Sequence, residues 1–287
     1  MKYDLICYGE VLYDVYSRER GANENKKVLS GAPLTTASIA SKLGLKTGII
    51  SAINKKDNEI TDKIKSRKVD SFIQKNSKPT GESIIKLNKN KTPNFKIKKD
   101  VAFDYIKYSK ELKNINPKIF YFGTLAQRNK KSRKTLQKIL KDLKENPKKN
   151  TKTIYDVNIR KEFPWKKIFK SCLPYTNILK VNEYELKEIK KLLNIKSPKK
   201  LLNHIDYLFI TKGNKGAEVY YKTKKISLPS YKYKVEDTTG CGDSFSAGIV
   251  YGIIKNWKIE KILEFALRIS GKTASHIGAY SRDIIYR

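Results

Sequence analysis

Cysteine is scarce in this sequence. The 287 residues include only Cys7, Cys172 and Cys241. An odd number of cysteines without the close spacing of metal ligands argues against a disulfide framework. The cysteine content therefore favours a reducing compartment.

Long hydrophobic runs are also absent. Nowhere do about 18 apolar residues follow one another, as a membrane-spanning helix would require. The apolar run at the N-terminus, within MKYDLICYG, is too short for a signal peptide. We therefore predict no membrane span and a cytoplasmic location.

Acidic residues are few compared with basic ones. The chain has 62 Lys and Arg against 28 Asp and Glu, a net charge of +34, but only 9 of the basic residues are Arg. Arg is the residue that phosphate and guanine recognition uses most, whereas Lys is spread here over the whole length. We interpret the charge as a compositional bias that favours solvated Lys, and this interpretation disfavours nucleic acid as a partner.

Repeats, low-complexity blocks and proline-rich linkers are missing as well, so nothing marks a domain boundary within 1–287. Short apolar blocks such as YDLICYG, TGIISAI, IFYFG and DYLFI alternate with amphipathic stretches. This alternation is typical of βαβ units. We predict one α/β domain built on a parallel sheet.

Two segments interrupt the alternation. Residues 68–101 contain strand-like stretches separated by Pro79, Gly81 and Pro93 with no helix between them, and residues 13–29 are mostly polar. Together they predict a small β-layer beside the main sheet. The pattern fits a lid over a binding site and the edge of an antiparallel sheet equally well.

The most unusual stretch is DTTGCGD at 237–243, which precedes the small and apolar run FSAGIVYGII. Helix N-termini carry unpaired amides and the positive end of the helix dipole, so they bind anions. The segment Gly240, Cys241, Gly242 lets backbone amides approach a phosphoryl group. Asp243 would repel that anion and is better suited to remove a proton from a hydroxyl nucleophile. Alternatively, Asp237 or Asp243 merely caps the helix.

Residues 237–243 resemble the D-T-x-G-A-G-D signature of the ribokinase-like, or PfkB, family of carbohydrate kinases. Further motifs of this family, several typical of its fructokinase branch, follow in the family's order and cover essentially the whole chain. They are Gly9 and Asp14 (G-x-x-x-x-D), Gly31–Pro33 (G-A-P), Asp156, Asn158 and Arg160 (D-x-N-x-R), Asn182 and Glu185 (N-x-x-E), Thr211, Gly213 and Gly216 (T-x-G-x-x-G), and Gly278 in a late loop.

The resemblance implies an α/β fold in which a parallel sheet is flanked by helices and a small β-sheet lid covers the substrate. Asp243 would be the catalytic base, and the amides of Gly240, Cys241 and Gly242 would form an anion hole. The resemblance also implies ATP and Mg²⁺ as cofactors, in some members with a monovalent cation near Asp237 and Thr239. Lid edges in this family often pair into dimers, which leaves a homodimer open for this chain.

The remaining roles divide between sugar and nucleotide. By resemblance, Asp14, Gly31, Thr35 and Arg160 would line the sugar site, with Asp14 accepting hydrogen bonds from sugar hydroxyls. The expected nucleotide-binding residues are Asn182, Glu185, Thr211, Gly213, Gly216 and Gly278. Among them, Glu185 would act on Mg²⁺ through water, since Mg²⁺ retains much of its hydration shell. For Glu185 a surface position on a helix, and for the two loop glycines a simple turn between strands, are the alternatives.

Two residues depart from the family pattern. Thr35 stands where the fructokinase block usually has Asn, which leaves the identity of the sugar open. Cys241 replaces Ala, and because this position acts through its amide we expect activity to survive. The sequence thus predicts an ATP-dependent sugar kinase, with fructose as first substrate and 2-keto-3-deoxygluconate, ribose or a nucleoside as alternatives. The competing hypothesis is a non-catalytic basic protein of the same fold that binds nucleic acid or another partner.

Overall fold

A computed structural model of the chain describes residues 2–16, 26–87, 93–146 and 150–281, together with 284 and 286. The strands within these ranges are β1 (Lys2–Tyr8), β2 (Leu12–Tyr16), β3 (Lys26–Ser30), β4 (Thr47–Asn54), β5 (Val69–Asn76), β6 (Gly81–Leu87), β7 (Pro93–Ile97), β8 (Asn116–Gly123), β9 (Lys152–Asp156), β10 (Ile178–Asn182), β11 (Tyr207–Thr211), β12 (Ala217–Tyr221) and β13 (Lys224–Leu228). The helices are α1 (Ala32–Lys42), α2 (Glu59–Lys65), α3 (Lys110–Lys113), α4 (Lys130–Glu145), α5 (Trp165–Cys172), α6 (Glu183–Leu193), α7 (Cys241–Ile254) and α8 (Ile259–Ala274).

The main sheet has nine strands in the order β13-β12-β11-β10-β9-β8-β1-β4-β5. The strands from β11 to β5 are parallel to their neighbours, whereas β12 and β13 form an antiparallel edge. Helices pack on both faces because the central strands are apolar on both sides. The predicted α/β fold with a parallel sheet is confirmed.

The two faces of the sheet bury separate hydrophobic clusters. In β8, Phe120 and Phe122 belong to the cluster that includes α4 and α5, whereas Ile119 and Tyr121 belong to the cluster that includes α1, α7 and α8. Alternate residues of a strand point to opposite faces, so one short apolar block supplies both cores. The sheet is therefore the middle layer of three.

A smaller sheet has the order β3-β2-β6-β7. β2 is parallel to β6, and the two outer pairs are antiparallel. The predicted small β-layer is present, but the boundary at 68–101 needs correction because β5, within that segment, pairs with β4 in the main sheet. The parts of the predicted lid at 17–25 and 88–92 lie outside the described residues.

Two predictions about absent features can be compared with the structure. Cys7, Cys172 and Cys241 are free thiols, which agrees with the predicted lack of a disulfide framework. Over the described ranges, each helix is too short or too polar to span a membrane.

Helices α7 and α8 pack closely, and this contact fixes the start of α7. A Cβ atom added to Gly248 of α7 would lie 2.7 Å from the Cα atom of Ala266 in α8. An added Cβ at Gly252 would meet Ile262 at 2.6 Å. Real Cβ atoms do not approach other atoms this closely. The glycines of FSAGIVYGII therefore allow the two helices to come together.

We expect Gly248→Ala to destabilise the protein by about 1–3 kcal/mol, because the added methyl group overpacks the α7–α8 contact. The measurement is the free energy of unfolding in urea. Gly123→Ala is the matched control, since its Cβ would find its nearest atom at an ordinary 3.4 Å. Equal stability of the two variants would contradict this account of the helix contact.

Candidate active site

A cavity of 260 Å³ lies between the carboxyl ends of the parallel strands and the small sheet. Ligands of open parallel sheets bind at this edge, because the helix N-termini point toward it. Nine of the sequence-predicted site residues line the cavity: Asp14, Gly31, Arg160, Asn182, Glu185, Thr211, Gly240, Gly242 and Asp243. Thr35, Cys241, Gly213, Gly216 and Gly278 are not among its lining residues.

The start of α7 forms one wall of the cavity. Gly240 precedes the helix with φ 80°, and no side chain caps the helix start. A Cβ at Gly240 would lie 2.5 Å from the Cα atom of Ala279, so both the backbone angle and the close approach require glycine. Because no side chain caps the helix start, the alternative that Asp237 or Asp243 merely caps this helix is wrong.

The amides at this helix start differ in their partners. The amide of Cys241 donates to the carbonyl of Thr238 at 3.3 Å, whereas the amides of Gly240 and Gly242 have no backbone acceptor within the described ranges. Unpaired amides at the positive end of a helix dipole attract an anion. Two of the three predicted anion-hole amides are thus available.

Cys241 keeps its proton. Burial and the carboxylates of Asp237 and Asp243 raise the pKa of its thiol to about 12. A thiol with such a pKa is a weak nucleophile at neutral pH. In this electrostatic environment the Cys241 side chain is an inert small group.

Among the carboxyl groups of the cavity wall, that of Asp243 has the pKa farthest from its ordinary value. Burial, followed by the charge of Asp156, raises the pKa of Asp243 to about 8, although Lys180 acts in the opposite direction. No amide or side chain of the described residues donates a hydrogen bond to this carboxyl group. A carboxyl whose pKa lies near neutrality and which faces a cavity is suited to general base catalysis.

Asp156 is the centre of a buried polar network. Its carboxylate accepts hydrogen bonds from Lys180 Nζ at 2.9 and 3.1 Å, from the Tyr121 hydroxyl at 3.0 Å and from the Ser246 hydroxyl at 3.1 Å. Because Ser246 belongs to α7, the network connects strands β8, β9 and β10 to the helix that carries Asp243. Sequence reasoning missed Lys180, although a lysine inside the apolar strand ILKVN is an unusual feature.

Glu185 is buried, not a surface acid. One carboxylate oxygen accepts from the amide of Asn182 at 2.9 Å and the other from the amide of Ile159 at 2.8 Å, while the Asn182 side chain accepts from the amide of Glu185. Burial, followed by the charge of Asp156, raises the pKa of Glu185. Each oxygen keeps a lone pair that can accept from water. The side chain therefore fits an outer contact to hydrated Mg²⁺, in agreement with the N-x-x-E motif.

Direct coordination of a metal ion by protein side chains is a separate question from contact through water. The described part of the chain contains no group of three or more His, Cys, Asp or Glu residues arranged around one ion. Mg²⁺ seldom uses such a cage and usually keeps several waters. Asn182 and Glu185 form the capping box at the start of α6, and their role toward Mg²⁺ stays a prediction.

The small sheet supplies the opposite wall. Asp14 lies within β2, opposite Ser83 in the sheet register. Ser83 is in turn opposite Ile97. Asp14, Ser83 and Ile97 all line the cavity, so one row across the small sheet faces it. Burial raises the pKa of Asp14 to about 6, with a hydrogen bond from Ser30 acting in the opposite direction.

Glu10 is a second cavity residue that sequence reasoning missed. It follows Gly9 directly after β1 and is 4% exposed. Burial raises the pKa of Glu10 to about 7, while Arg160 lowers it. A Cβ on Gly31 would lie 2.3 Å from the Glu10 carbonyl oxygen, which explains glycine at the start of α1. The sequence signal that could have identified Glu10 is an acidic residue directly after a strand.

Thr35 lies inside α1 with no exposed surface. Its amide donates to the carbonyl of Gly31 at 2.8 Å, as the first turn of the helix requires. Its hydroxyl oxygen is buried and has no hydrogen-bond partner among the described residues. The structure therefore places Thr35 behind the cavity wall, and its role in sugar binding stays a prediction.

In the loop that is predicted to bind the nucleotide, the backbone geometry favours glycine at both positions. Gly213 and Gly216 lie between β11 and β12 with φ 57° and 97°. A Cβ on Gly216 would approach the carbonyl oxygen of Leu228 to 2.0 Å. The alternative of a turn between two strands accounts for both residues, and nucleotide binding by Gly213 and Gly216 stays a prediction.

The loop before α7 is organised by Asp237. One of its oxygens accepts from the amide and the hydroxyl of Thr239 at 2.8 and 2.6 Å. The other accepts from the amide of Gly278 at 2.9 Å and from the hydroxyl of Tyr16 at 3.3 Å. Four donors occupy the lone-pair positions of a carboxylate. A monovalent cation near Asp237 and Thr239 stays a prediction, and Gly278 contributes to the loop and not to the cavity wall.

Ionisation of Asp243 should cost stability. Because the pKa in the folded state, about 8, exceeds the ordinary value of 3.8, unfolding releases a proton between these pH values and stability falls as pH rises. We expect Asp243→Asn to gain stability over wild type by at most about 1.4 kcal/mol per pH unit through this window. Urea unfolding at about pH 5 and about pH 8 measures the difference. Glu145→Gln on the surface of α4 is the control, and parallel pH curves for Asp243→Asn and wild type would disprove the perturbation.

Tyr16 connects the small sheet to the loop before α7. We expect Tyr16→Phe to speed hydrogen exchange of the Thr239 amide by about threefold to tenfold, since Asp237 loses one of its four donors. Tyr13→Phe is the control, because its hydroxyl donates to the exposed Glu59. Unchanged exchange in Tyr16→Phe would mean that the 3.3 Å contact does not stabilise the loop.

Comparison with known proteins identifies the relatives of this chain. A family model described as pfkB family carbohydrate kinase matches residues 2–284. PH1459 of Pyrococcus horikoshii, described as an uncharacterized sugar kinase, is 26% identical over 96% of this chain and 92% of its own length. An ATP-dependent 6-phosphofructokinase of Thermoanaerobacterium thermosaccharolyticum is 26% identical over 97% of this chain and 90% of its own length.

Solved structures show the same fold. The structure of PH1459 in complex with ATP has a TM-score of 0.82 over 96% of this chain and 93% of the other. A fructokinase of Xylella fastidiosa with bound ATP has a TM-score of 0.85 over 96% of this chain and 93% of the other, at 16% identity. Since the family model covers nearly the full length, the chain belongs to the pfkB family of carbohydrate kinases.

Proposed function

We propose that this protein transfers the γ-phosphoryl group of ATP to a hydroxyl of a sugar, with fructose as the first substrate to test. Membership of the pfkB family supports the reaction class. The ATP complex of PH1459, a relative with the same fold, supports the choice of nucleotide. The specific sugar rests on the fructokinase-like motifs of the sequence.

One observation carries the proposal: Asp243, with a pKa of about 8, lies in the first turn of α7 beside the amides of Gly240 and Gly242. A base and an anion-binding helix start that lie within one helical turn can act together on a hydroxyl group and on the phosphoryl group that it attacks. The base takes the proton of a hydroxyl while the amides receive the phosphoryl oxygens. Other uses of a helix N-terminus do not need a base with a perturbed pKa.

The sugar would lie between the small sheet and the strand ends. Asp14 and Ser83 can hydrogen-bond its hydroxyls from one side, and Glu10 and Arg160 can do so from the other. Carboxylates accept hydrogen bonds from neighbouring hydroxyls, which is the chemistry that a polyol offers. This arrangement would orient one hydroxyl toward Asp243.

In the transfer step, the sugar hydroxyl oxygen forms a bond to the γ-phosphorus while the bond from that phosphorus to the bridging β-γ oxygen breaks. Asp243 takes the hydroxyl proton, and ADP leaves with the bridging oxygen. The amides at the start of α7 hold the phosphoryl oxygens as charge moves across the group. Asp243 returns to its charged form by releasing the proton to solvent.

Glu185 and Asn182 would hold Mg²⁺ through its water shell at the phosphate side of the cavity. Mg²⁺, when bound with ATP, neutralises negative charge on the phosphates. Glu185 itself is fixed by the amides of Asn182 and Ile159. This buried arrangement keeps its carboxylate in place without contact to the reacting atoms.

The small sheet would act as a lid. Asp14 and Ser83 lie on it and line the cavity, so a bound sugar would touch both sheets. A site closed in this way excludes water, which would otherwise compete with the sugar for the phosphoryl group. This proposal gives strands β2, β3, β6 and β7 a common purpose.

The test is a coupled assay of ADP release from Mg-ATP with fructose, run beside 2-keto-3-deoxygluconate, ribose, adenosine and fructose 6-phosphate. We expect turnover with one substrate class, and we expect Asp243→Ala to lower kcat by at least about 100-fold with the fold retained. The control is Glu145→Ala, an exposed acid on α4.

Each outcome is informative. Turnover with a sugar other than fructose would correct the substrate and keep the reaction. Near-normal turnover of Asp243→Ala would remove Asp243 from the mechanism. If no substrate stimulates ADP release, the proposed activity is wrong for this chain.

A further inference from the structure

The charge of the cavity is unfavourable for a polyphosphate. Among the residues that the structure describes, five carboxyl residues line it and two basic residues do: Arg160 and Lys180. The carboxyl residues are Glu10, Asp14, Asp156, Glu185 and Asp243. Transfer of a phosphoryl group in such surroundings requires a cation close to the reacting oxygens, since like charges repel strongly where water is excluded.

The two basic residues face different parts of the cavity. Arg160 interacts electrostatically with Glu10, which follows β1 next to the start of α1. Lys180 interacts with Asp156, Glu185 and Asp243. Lys180 is therefore close both to the carboxyl group assigned as the base and to the carboxyl group assigned to the hydrated metal.

Lys180 also lies against the anion-binding helix start. A Cβ atom on Gly242 would be 3.0 Å from Lys180 Nζ. A side chain at 242 would displace the ammonium group by a few tenths of an ångström, so glycine at this position leaves room for the lysine as well as for a phosphoryl group. The second glycine of DTTGCGD thus has a partner on β10 that the sequence does not reveal.

The ammonium group has donor capacity to spare. A lysine has three N–H donors, and the two hydrogen bonds of Lys180 in the described residues both go to Asp156. Lys180 is one of the residues that line the cavity, so a remaining donor can serve a ligand there. Burial alone would lower the pKa of Lys180, but Asp156, followed by Glu185 and Asp243, acts in the opposite direction and together these carboxylates raise the pKa. The group is a permanent cation at neutral pH.

Asp156 holds Lys180 in position. It sits opposite Lys180 in the parallel register of β9 and β10, and Tyr121 and Ser246 donate to its carboxylate from β8 and α7. A carboxylate with this many donors cannot rotate without losing several hydrogen bonds. Asp156 is accordingly a positioning residue for Lys180.

We propose that Lys180 is a further catalytic residue, which donates a hydrogen bond from Nζ to an oxygen of the γ-phosphoryl group during its transfer. The inference rests on the proposed kinase function and adds a residue that the PfkB signature motifs quoted above do not contain. The lysine transfers no proton in this step. It opposes the negative charge that passes from the attacking oxygen to the leaving oxygen.

The first test measures binding and needs no turnover. The dissociation constants of Mg-ATP and Mg-ADP are determined by calorimetry for wild type, Lys180→Met and Lys118→Met. Lys118 is the matched control, because it is ion-paired with Asp4 outside the cavity. If Lys180 contacts the γ-phosphate, Lys180→Met should weaken ATP binding by about 10- to 100-fold and leave ADP binding nearly unchanged.

The outcomes of this test separate the two proposals. Equal losses for ATP and ADP, or no loss, in Lys180→Met would overturn the role of Lys180 and leave the kinase function standing. If wild type binds neither nucleotide, the kinase function fails and the role of Lys180 fails with it. A loss confined to ATP, with normal binding in Lys118→Met, supports the contact.

The second test separates a phosphoryl contact from a mere electrostatic effect on Asp243. Lys180 lowers the pKa of Asp243, so its removal should move the acid limb of the pH profile of kcat/KM to higher pH. If Lys180 only acted in this way, Lys180→Met would recover wild-type kcat on the alkaline plateau. A phosphoryl contact predicts a residual loss there of about 100-fold, and Lys180→Arg, which keeps the charge, should recover part of it.

A loss of folding in Lys180→Met is foreseeable, because Asp156 would become a buried charge without its counter-ion. The double variant Lys180→Met with Asp156→Asn removes both charges and replaces Lys180→Met if the single variant does not fold. It should show the same selective loss of ATP binding. A folded double variant that keeps the wild-type preference for ATP over ADP would overturn the inference.

Discussion

The ion pair between Lys180 and Asp156 is the interaction on which the candidate active site depends. It places a cation among carboxyl groups that would otherwise repel one another and any phosphate that enters. A buried ion pair contributes little net stability, because desolvation offsets the attraction of its charges. Its value here is positional: it fixes β9, β10 and, through Ser246, the start of α7 in one electrostatic arrangement.

That arrangement also explains why the raised pKa of Asp243 is tolerated. Burial and Asp156 favour the neutral acid, while Lys180 opposes them. The opposing effects bring the pKa of the carboxyl close to neutral pH, where a general base is most effective. The stability that such a residue costs is recovered elsewhere, in the apolar cores on both faces of the sheet and in the close α7–α8 contact.

The small sheet is built separately from the main sheet and contacts it at the cavity. Its strands β2 and β3 precede α1, and β6 and β7 follow β5 of the main sheet, so the chain leaves the central sheet twice to build it. It shares the cavity with the main sheet through Asp14, Ser83 and Ile97, and it contacts the loop before α7 through Tyr16 and Asp237. A layer attached at the rim of a cavity can change its position at little cost to the core. Substrate binding and organisation of the α7 start are therefore physically connected.

The sequence by itself determined the α/β class, the parallel sheet, and the glycines and acid at the start of α7, because periodicity and helix-start chemistry are local properties. It placed β5 in the small β-layer wrongly, since a strand-like block does not state its pairing partner. It also hid Glu10 and Lys180, whose importance arises only when distant strands meet: Lys180 depends on Asp156 one strand away and on Gly242 at a helix start. The tertiary structure alone decided which charges share the cavity, because burial and neighbouring charges, not residue type, set their pKa values.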